Sequence, residues 1–214
     1  MKYISGLSSP VFDRPGPRTL AILGSTGSIG VSALKVVAKN REDFDVVALA
    51  GARNMTLLAT QADQLRPAYL GVLDQEKAME LRGLLPRGYS PRILIGREGY
   101  TQMATLPEAD LVLAAQVGAA GLVPALAAAQ AGKVLCLANK EALVLAGDLF
   151  RQACRDSGAV ILPVDSEHNA LFQAFVGHEG RQARRLILTA SGGPFRTWTL
   201  GEIEAVTQIG RAHV

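Results

Sequence analysis

Apolar residues along the chain gather into short unbroken runs: Leu20 to Leu23, Val46 to Ala50, Tyr69 to Leu73, Leu111 to Ala115, Val134 to Leu137 and Val160 to Leu162. Stretches of helical character separate them. Runs that are apolar at every position, rather than at every second one, belong to strands covered on both faces, and helices between such strands make the connections parallel. The pattern predicts an α/β domain with a doubly wound parallel sheet, whose ligand should lie at the carboxyl ends of the strands. Beyond it, a helix is expected through Ala170 to Phe175, a strand in the run opened by Leu186, and a further helix at Thr199-Leu200-Gly201-Glu202, which reads as a capping box.

One segment has the length of a membrane span, because Leu111 to Gly132 carries no charge. Its internal breakers argue for another reading. Gln116, Gly118, Gly121, Pro124, Gln130 and Gly132 divide it into a strand, a turn and an alanine-rich helix with Pro124 near its start. No membrane partner is expected.

Composition narrows the class. The 214 residues suffice for one domain with a sizeable core and part of another. Hydrophobic residues make up 49% and aromatics only 5%, so the core is aliphatic and stacking platforms for bases are scarce. The net charge of +3 comes from scattered arginines without a basic run, which argues against nucleic acid. Cys136 and Cys154 match no zinc or redox spacing, as suits a reduced, cytoplasmic protein. The first 17 residues, interrupted by Pro10, Pro15 and Pro17, read as a loose leader.

Four motifs fall where strands end. Leu23 to Gly30, LGSTGSIG, follows the first strand and opens the helix Val31 to Lys39. Glycines at 24, 27 and 30 permit a tight turn and close backbone approach, and the helix N-terminus offers N–H groups and a positive dipole to a pyrophosphate. A glycine-rich helix start without a ligand is the alternative. After the second strand stands Ala50-Gly51-Ala52-Arg53-Asn54, with no acidic residue for ribose hydroxyls. Arg53 there can grip a 2′-phosphate, favouring NADP over NAD, or it can simply be solvated.

The third motif, LCLANKEALVLAG, delivers Asn139, Lys140 and Glu141 to a helix start. An amide and a fixed cation there suit a cofactor and an oxygen-rich substrate, and a solvated cap is the alternative. The fourth, LILTASGGPFR, ends in Ser191-Gly192-Gly193-Pro194, which is either an anion-binding nest or a turn. Between these two lies Asp165-Ser166-Glu167-His168-Asn169. Two carboxylates at i and i+2 past a strand point to one side and can converge on one hard cation. The competing reading is a helix start capped by Asp or Ser.

LGSTGSIG, LANKEALV, PVDSEHNA and LTASGGPFR, in this order and at these separations, resemble the 1-deoxy-D-xylulose 5-phosphate reductoisomerase family, as does the VGAAGLVPALAA segment with Gly132-Lys133. The likeness runs from about Thr19 to about Thr207. It implies an NADPH- and Mg²⁺- or Mn²⁺-dependent conversion of 1-deoxy-D-xylulose 5-phosphate into 2-C-methyl-D-erythritol 4-phosphate in non-mevalonate isoprenoid biosynthesis, by a homodimer when full length. It implies a Rossmann-like NADPH-binding domain over 18–164 and the incomplete start of an α/β catalytic domain over 165–208.

By position, the resemblance assigns Gly24, Thr26, Gly27, Ser28 and Ile29 to the pyrophosphate loop and Arg53 with Asn54 to the 2′-phosphate. Asn139 and Glu141 match cofactor contacts, Lys140 and Ser166 substrate contacts, Asp165 and Glu167 metal ligands, and Ser191 a contact to the substrate phosphate. His168 and Gly192 receive no role. Two other classes stay open: a different NADP-dependent reductase, which would need a catalytic cysteine on an exposed turn, and a non-catalytic NADP-binding module.

The family continues past this point with a tryptophan- and histidine-bearing loop, a further metal-binding glutamate and a helical C-terminal domain, and Trp198 is not that loop tryptophan. The last six residues, 209–214, match nothing expected of the family, and the chain reads as a fragment with a non-native tail. On this reading the 214-residue chain binds NADPH weakly and does not turn over. Spectrophotometry with 1-deoxy-D-xylulose 5-phosphate, NADPH and Mg²⁺ should show no oxidation, and a measurable rate would refute the expectation.

Overall fold

The computed structural model describes residues 5, 9–176, 184–185, 187 and 195–206. The chain divides into two compact units, Met1–Asn169 and Ala170–Val214. In the first unit seven parallel strands form one sheet in the order β4-β3-β2-β1-β5-β6-β7. These are β1 (Arg18–Leu23), β2 (Phe44–Ala50), β3 (Tyr69–Val72), β4 (Arg92–Ile95), β5 (Leu111–Ala114), β6 (Val134–Leu137) and β7 (Val160–Pro163). The order reverses beside β1, and the crevice between the carboxyl ends of β1 and β5 is the place where doubly wound sheets hold ligands.

Alternation along each strand divides the core. Leu20 and Ile22 join Leu70, Val72, Leu111 and Leu113 on one face, and Ala21 and Leu23 join Val112, Ala114, Leu135 and Leu137 on the other. The first face is covered by α2 (Ser28–Lys39), α3 (Met55–Leu65) and α4 (Gln75–Leu84), through Val37, Leu58 and Leu81. The second is covered by α5 (Gly96–Ala104), α6 (Leu122–Gln130) and α7 (Lys140–Ser157), through Met103, Ala128 and Phe150. Small residues set the spacing. A Cβ on Gly71 would lie 2.3 Å from the Met103 sulfur, so glycine there admits the methionine to the sheet.

Six of the seven strands coincide with the apolar runs. The seventh, β4, reads Arg92-Ile-Leu-Ile95 and was not expected, because an edge strand needs less apolar surface and Pro91 and Gly96 clip it short. The uncharged segment from Leu111 folds as β5, a 3₁₀ turn (Gly118–Gly121) and α6, with Pro124 in the first turn of that helix. Among the described residues no helix is long and apolar enough to cross a membrane.

The expected leader is in part built into the fold. Ser9 caps a short helix, α1 (Pro10–Asp13), by accepting from the Val11 N–H, and Val11 and Phe12 pack against the first core face. Arg18 donates to the Phe12 carbonyl at 3.0 Å, and Arg14 pairs with Asp110, whose carboxylate also accepts from Thr19. Hydrogen bonds from the Thr19 backbone and hydroxyl and from Arg14 outweigh partial burial and hold the Asp110 carboxyl below its usual range.

The first compact unit runs to Asn169 and includes the Asp165–His168 segment. In the second unit, the described residues comprise the end of α8 (Ser166–Phe175), α9 (Leu200–Glu204) and short connecting pieces, with no strand among them. The expected capping box is present: the Thr199 hydroxyl accepts from the Glu202 N–H and the Glu202 carboxylate accepts from the Thr199 N–H. Phe195 and Trp198 meet edge to face at 5.2 Å. The expected strand after Leu186 falls largely outside the described residues.

Phe150 is the largest fully enclosed side chain among the described residues. Replacing it with alanine should cost roughly 3–5 kcal/mol. Urea unfolding monitored by circular dichroism checks the figure.

Candidate functional site

The glycine loop begins where β1 runs out. Gly24 has φ +95°, and a Cβ on it would stand 2.7 Å from the Ala115 carbonyl oxygen, so both its conformation and its surroundings require glycine. The Gly24 and Ser25 N–H groups both donate to Ala50 O, at 3.0 and 2.7 Å, which folds the loop over the end of β2. Gly30, two residues into α2, packs so tightly on Gly24 and Ser25 that a Cβ would meet Gly24 O at 2.3 Å. Gly27 is the N-cap of α2 and supplies no side-chain cap. The first-turn N–H groups, at Ser28, Ile29 and Gly30, have no preceding turn to bond to, and Gly27, Ser28 and Ile29 are exposed beside them.

Sequence reasoning passed over what holds this loop. Ser25 is fully buried, its hydroxyl donates to Gln61 Oε1 at 2.8 Å, and Gln61 Nε2 donates back to Ser25 O at 2.9 Å. The pair ties the loop to α3. A glutamine in an otherwise apolar helix stripe was the available signal, since a buried amide requires partners. The other end of α3 starts at Asn54, whose Oδ1 caps the helix by accepting from the Leu57 N–H at 2.9 Å. Arg53, just before it, is exposed.

Asn139 is 4% exposed, and its polar atoms are engaged within the fold. Nδ2 donates to the carbonyls of Gln116 and Gly118 at 2.8 and 2.7 Å, and Oδ1 accepts from Ala142 N–H at 3.2 Å. It therefore caps α7 and clamps the turn after β5. Its neighbours Lys140 and Glu141 are exposed at the same helix start.

The Asp165–His168 segment combines the two readings that its sequence left open. Asp165, with a side chain 10% exposed, accepts from the His168 N–H at 3.1 Å in the manner of an N-cap and holds His168 Nδ1 at 2.8 Å. Glu167 turns elsewhere: its Oε2 lies 3.4 Å from Lys140 Nζ and accepts from the Ser166 hydroxyl at 3.3 Å. Helical geometry begins at Ser166, so the same-side rule for alternate strand residues does not govern 165 and 167, and the two carboxylates have separate partners. Among the described residues no three His, Cys, Asp or Glu side chains are grouped to hold a metal ion. Two hard oxygen donors two residues apart at one helix start nevertheless suit the oxygen preference of Mg²⁺ or Mn²⁺ as part of a set.

Lys140 and Glu167, 27 residues apart, are brought together because β6 and β7 are neighbours and each ends in a helix start. Hydrogen bonds from the Glu167 backbone N–H and then from Lys140 hold the Glu167 carboxyl below its usual range. Ser191 and Gly192 lie outside the described residues.

A profile described as 1-deoxy-D-xylulose 5-phosphate reductoisomerase matches residues 20–147, and one described as the C-terminal domain of that enzyme matches residues 161–213. The chain belongs to the 1-deoxy-D-xylulose 5-phosphate reductoisomerase family. The reductoisomerase of Nitratidesulfovibrio vulgaris strain Hildenborough is 62% identical over 207 residues, 97% of this chain and 51% of that protein. That of Oleidesulfovibrio alaskensis is 58% identical over 206 residues, 96% of this chain and 51% of its own. The chain thus spans about half the length of the curated relatives it matches.

Among solved structures, the reductoisomerase from Zymomonas mobilis in complex with NADPH superimposes with a TM-score of 0.80 at 43% identity, over 89% of this chain and 50% of that one. A DOX-P reductoisomerase in complex with magnesium gives 0.77 at 37% identity, with the same coverage.

Because Lys140 is one cause of the depressed Glu167 carboxyl, Lys140→Met should raise its pKa part of the way back, the backbone hydrogen bond remaining. In the parent chain the pair persists above the ordinary carboxylate range and is lost as the pH falls through the lowered Glu167 value. A carboxyl-carbon NMR titration of both proteins reads this directly, and identical curves would dismiss the ion pair.

Proposed function

We propose that this chain supplies the dinucleotide-binding half and part of the metal site of an NADPH-dependent reductoisomerase that converts 1-deoxy-D-xylulose 5-phosphate into 2-C-methyl-D-erythritol 4-phosphate. The observation that carries the reading is the meeting of Lys140 and Glu167 at the carboxyl ends of β6 and β7, in the sheet whose β1 end carries the glycine loop. One edge thereby offers an anion cradle, a cation and carboxylates for one substrate and one cofactor.

In this reading the first-turn N–H groups of α2, from Ser28 to Gly30, take the pyrophosphate, with Gly24, Thr26, Gly27 and Ile29 lining its approach. Arg53 takes the 2′-phosphate, beside Asn54. Asn139 is a positioning residue, since its amide fixes the turn after β5 and the start of α7, while the exposed Glu141 would contact the cofactor. Asp165 and Glu167 would hold Mg²⁺ or Mn²⁺, which when bound stabilises negative charge developing on substrate oxygens. Lys140 and Ser166 would hold the substrate by its oxygens, and Ser191 its phosphate.

The cysteines favour this reading over a reductase with a thiol nucleophile. Cys136 lies in β6, where burial pushes its thiol up to about 11, and Cys154 is buried in α7. Both are free, as suits a cytoplasmic setting, and the family likeness supports a homodimer at full length.

In a protein with the relatives' full length, Asp165→Asn and Glu167→Gln should each lower kcat at least about a hundredfold, while the NADPH Kd moves less than about twofold. Mn²⁺ binding followed by electron paramagnetic resonance should weaken in parallel. Turnover surviving both substitutions would remove these carboxylates from the metal site, and a parallel loss of NADPH binding would make the role structural.

A further inference from the structure

Gly51 is where the chain leaves β2 toward Arg53, and it is held on three sides. Its N–H donates to Gly71 O at 3.0 Å. A Cβ would lie 3.0 and 3.1 Å from Cγ2 and Oγ1 of Thr26, so the glycine seats directly on the nucleotide loop. Its carbonyl accepts from the hydroxyl of Tyr100 at 3.3 Å, across 49 residues of sequence. Tyr100 projects from α5, is 7% exposed, and packs in the same core face as Ala50 and Met103. Burial, and then the charge of Asp74, push its phenol up to about 12, so the hydroxyl remains a donor at every working pH.

Nothing in the packing of α5 requires a hydroxyl at this position. A phenylalanine would fill the same volume, and among the described residues the oxygen's hydrogen bond is to Gly51, two before Arg53. Ala52 and Arg53 are exposed, so Gly51 is the nearest point before the arginine that the core holds.

We propose that Tyr100 is a positioning residue for cofactor choice: by holding the Gly51 carbonyl it aims Arg53 at the 2′-phosphate that distinguishes NADPH from NADH. The inference rests on the reading of Arg53 given under Proposed function. It deepens that reading by assigning specificity to a side chain that would touch neither phosphate nor ribose.

The test is a set of fluorescence titrations of the 214-residue chain with NADPH and with NADH, carried to millimolar concentrations, for the parent, Tyr100→Phe, Arg53→Ala and the double variant. Arg53→Ala should weaken NADPH at least about tenfold and leave NADH unchanged. Tyr100→Phe should weaken NADPH about three- to tenfold, the range for one lost hydrogen bond, and leave NADH unchanged. In the Arg53→Ala background Tyr100→Phe should add nothing, because the tyrosine acts through the arginine. An equal loss for both cofactors, no loss, or full additivity overturns the role of Tyr100 while the Arg53 reading stands. A silent Arg53→Ala, or a parent chain that binds NADPH no better than NADH, overturns both.

Discussion

Everything at the functional edge depends on how closely the ends of β1 and β5 approach each other. At Gly24 there is no room for a side-chain carbon against Ala115, and at Gly30 there is none against Gly24 itself. These two exclusions turn the chain sharply off β1, start α2 within four residues and leave its uncapped N-terminus at the edge of the crevice. A larger residue at either place would separate the strand ends or displace the helix, and the N–H groups would no longer face a common point. The remaining contacts act within this geometry: the Ser25–Gln61 pair, the Gly51 seat against Thr26 and the Asn139 clamp each hold one wall of the same crevice.

The sheet was legible in the sequence because burial on both faces leaves unbroken apolar runs, and six of seven strands announce themselves that way. β4 did not, since a four-residue edge strand with its first residue exposed has little hydrophobic signal. Chain order also says nothing of β1 standing between β2 and β5, since no single residue marks where the order reverses. The glycine loop could be read because its conformational demand is written in residue type. The burial of Ser25 could not, because a polar residue looks the same in sequence whether it faces water or a partner, and the only hint of Gln61's burial was its place in an apolar helix stripe.

The Asp165 segment is the clearest case of partial legibility. Residue types alone offered a metal site or a helix cap, and the fold gives Asp165 the cap geometry with His168 as its second partner. Two alternatives posed as rivals are compatible here, because an N-cap uses one carboxylate lone pair and leaves others for a cation. Glu167 was expected beside Asp165 from strand geometry, yet it pairs with Lys140, since the switch from strand to helix falls between them. The helix start hangs from β7, because Asn169 Nδ2 donates to the Pro163 carbonyl at 2.7 Å, and the segment lies in the first compact unit.

Asn139 carries a liability of a different kind. Two carbonyl oxygens depend on the two hydrogens of one amide group, and the same side chain must offer an oxygen to a helix. Hydrolysis of that amide to a carboxylate, the commonest spontaneous ageing reaction of asparagine, would exchange two donors for a negative charge aimed at two carbonyls. Size and shape would be nearly unchanged, yet the turn after β5 would be pushed off the start of α7. The durability of this edge therefore depends on the chemical lifetime of a single amide, which its burial, its three hydrogen bonds and the helix that follows it all protect.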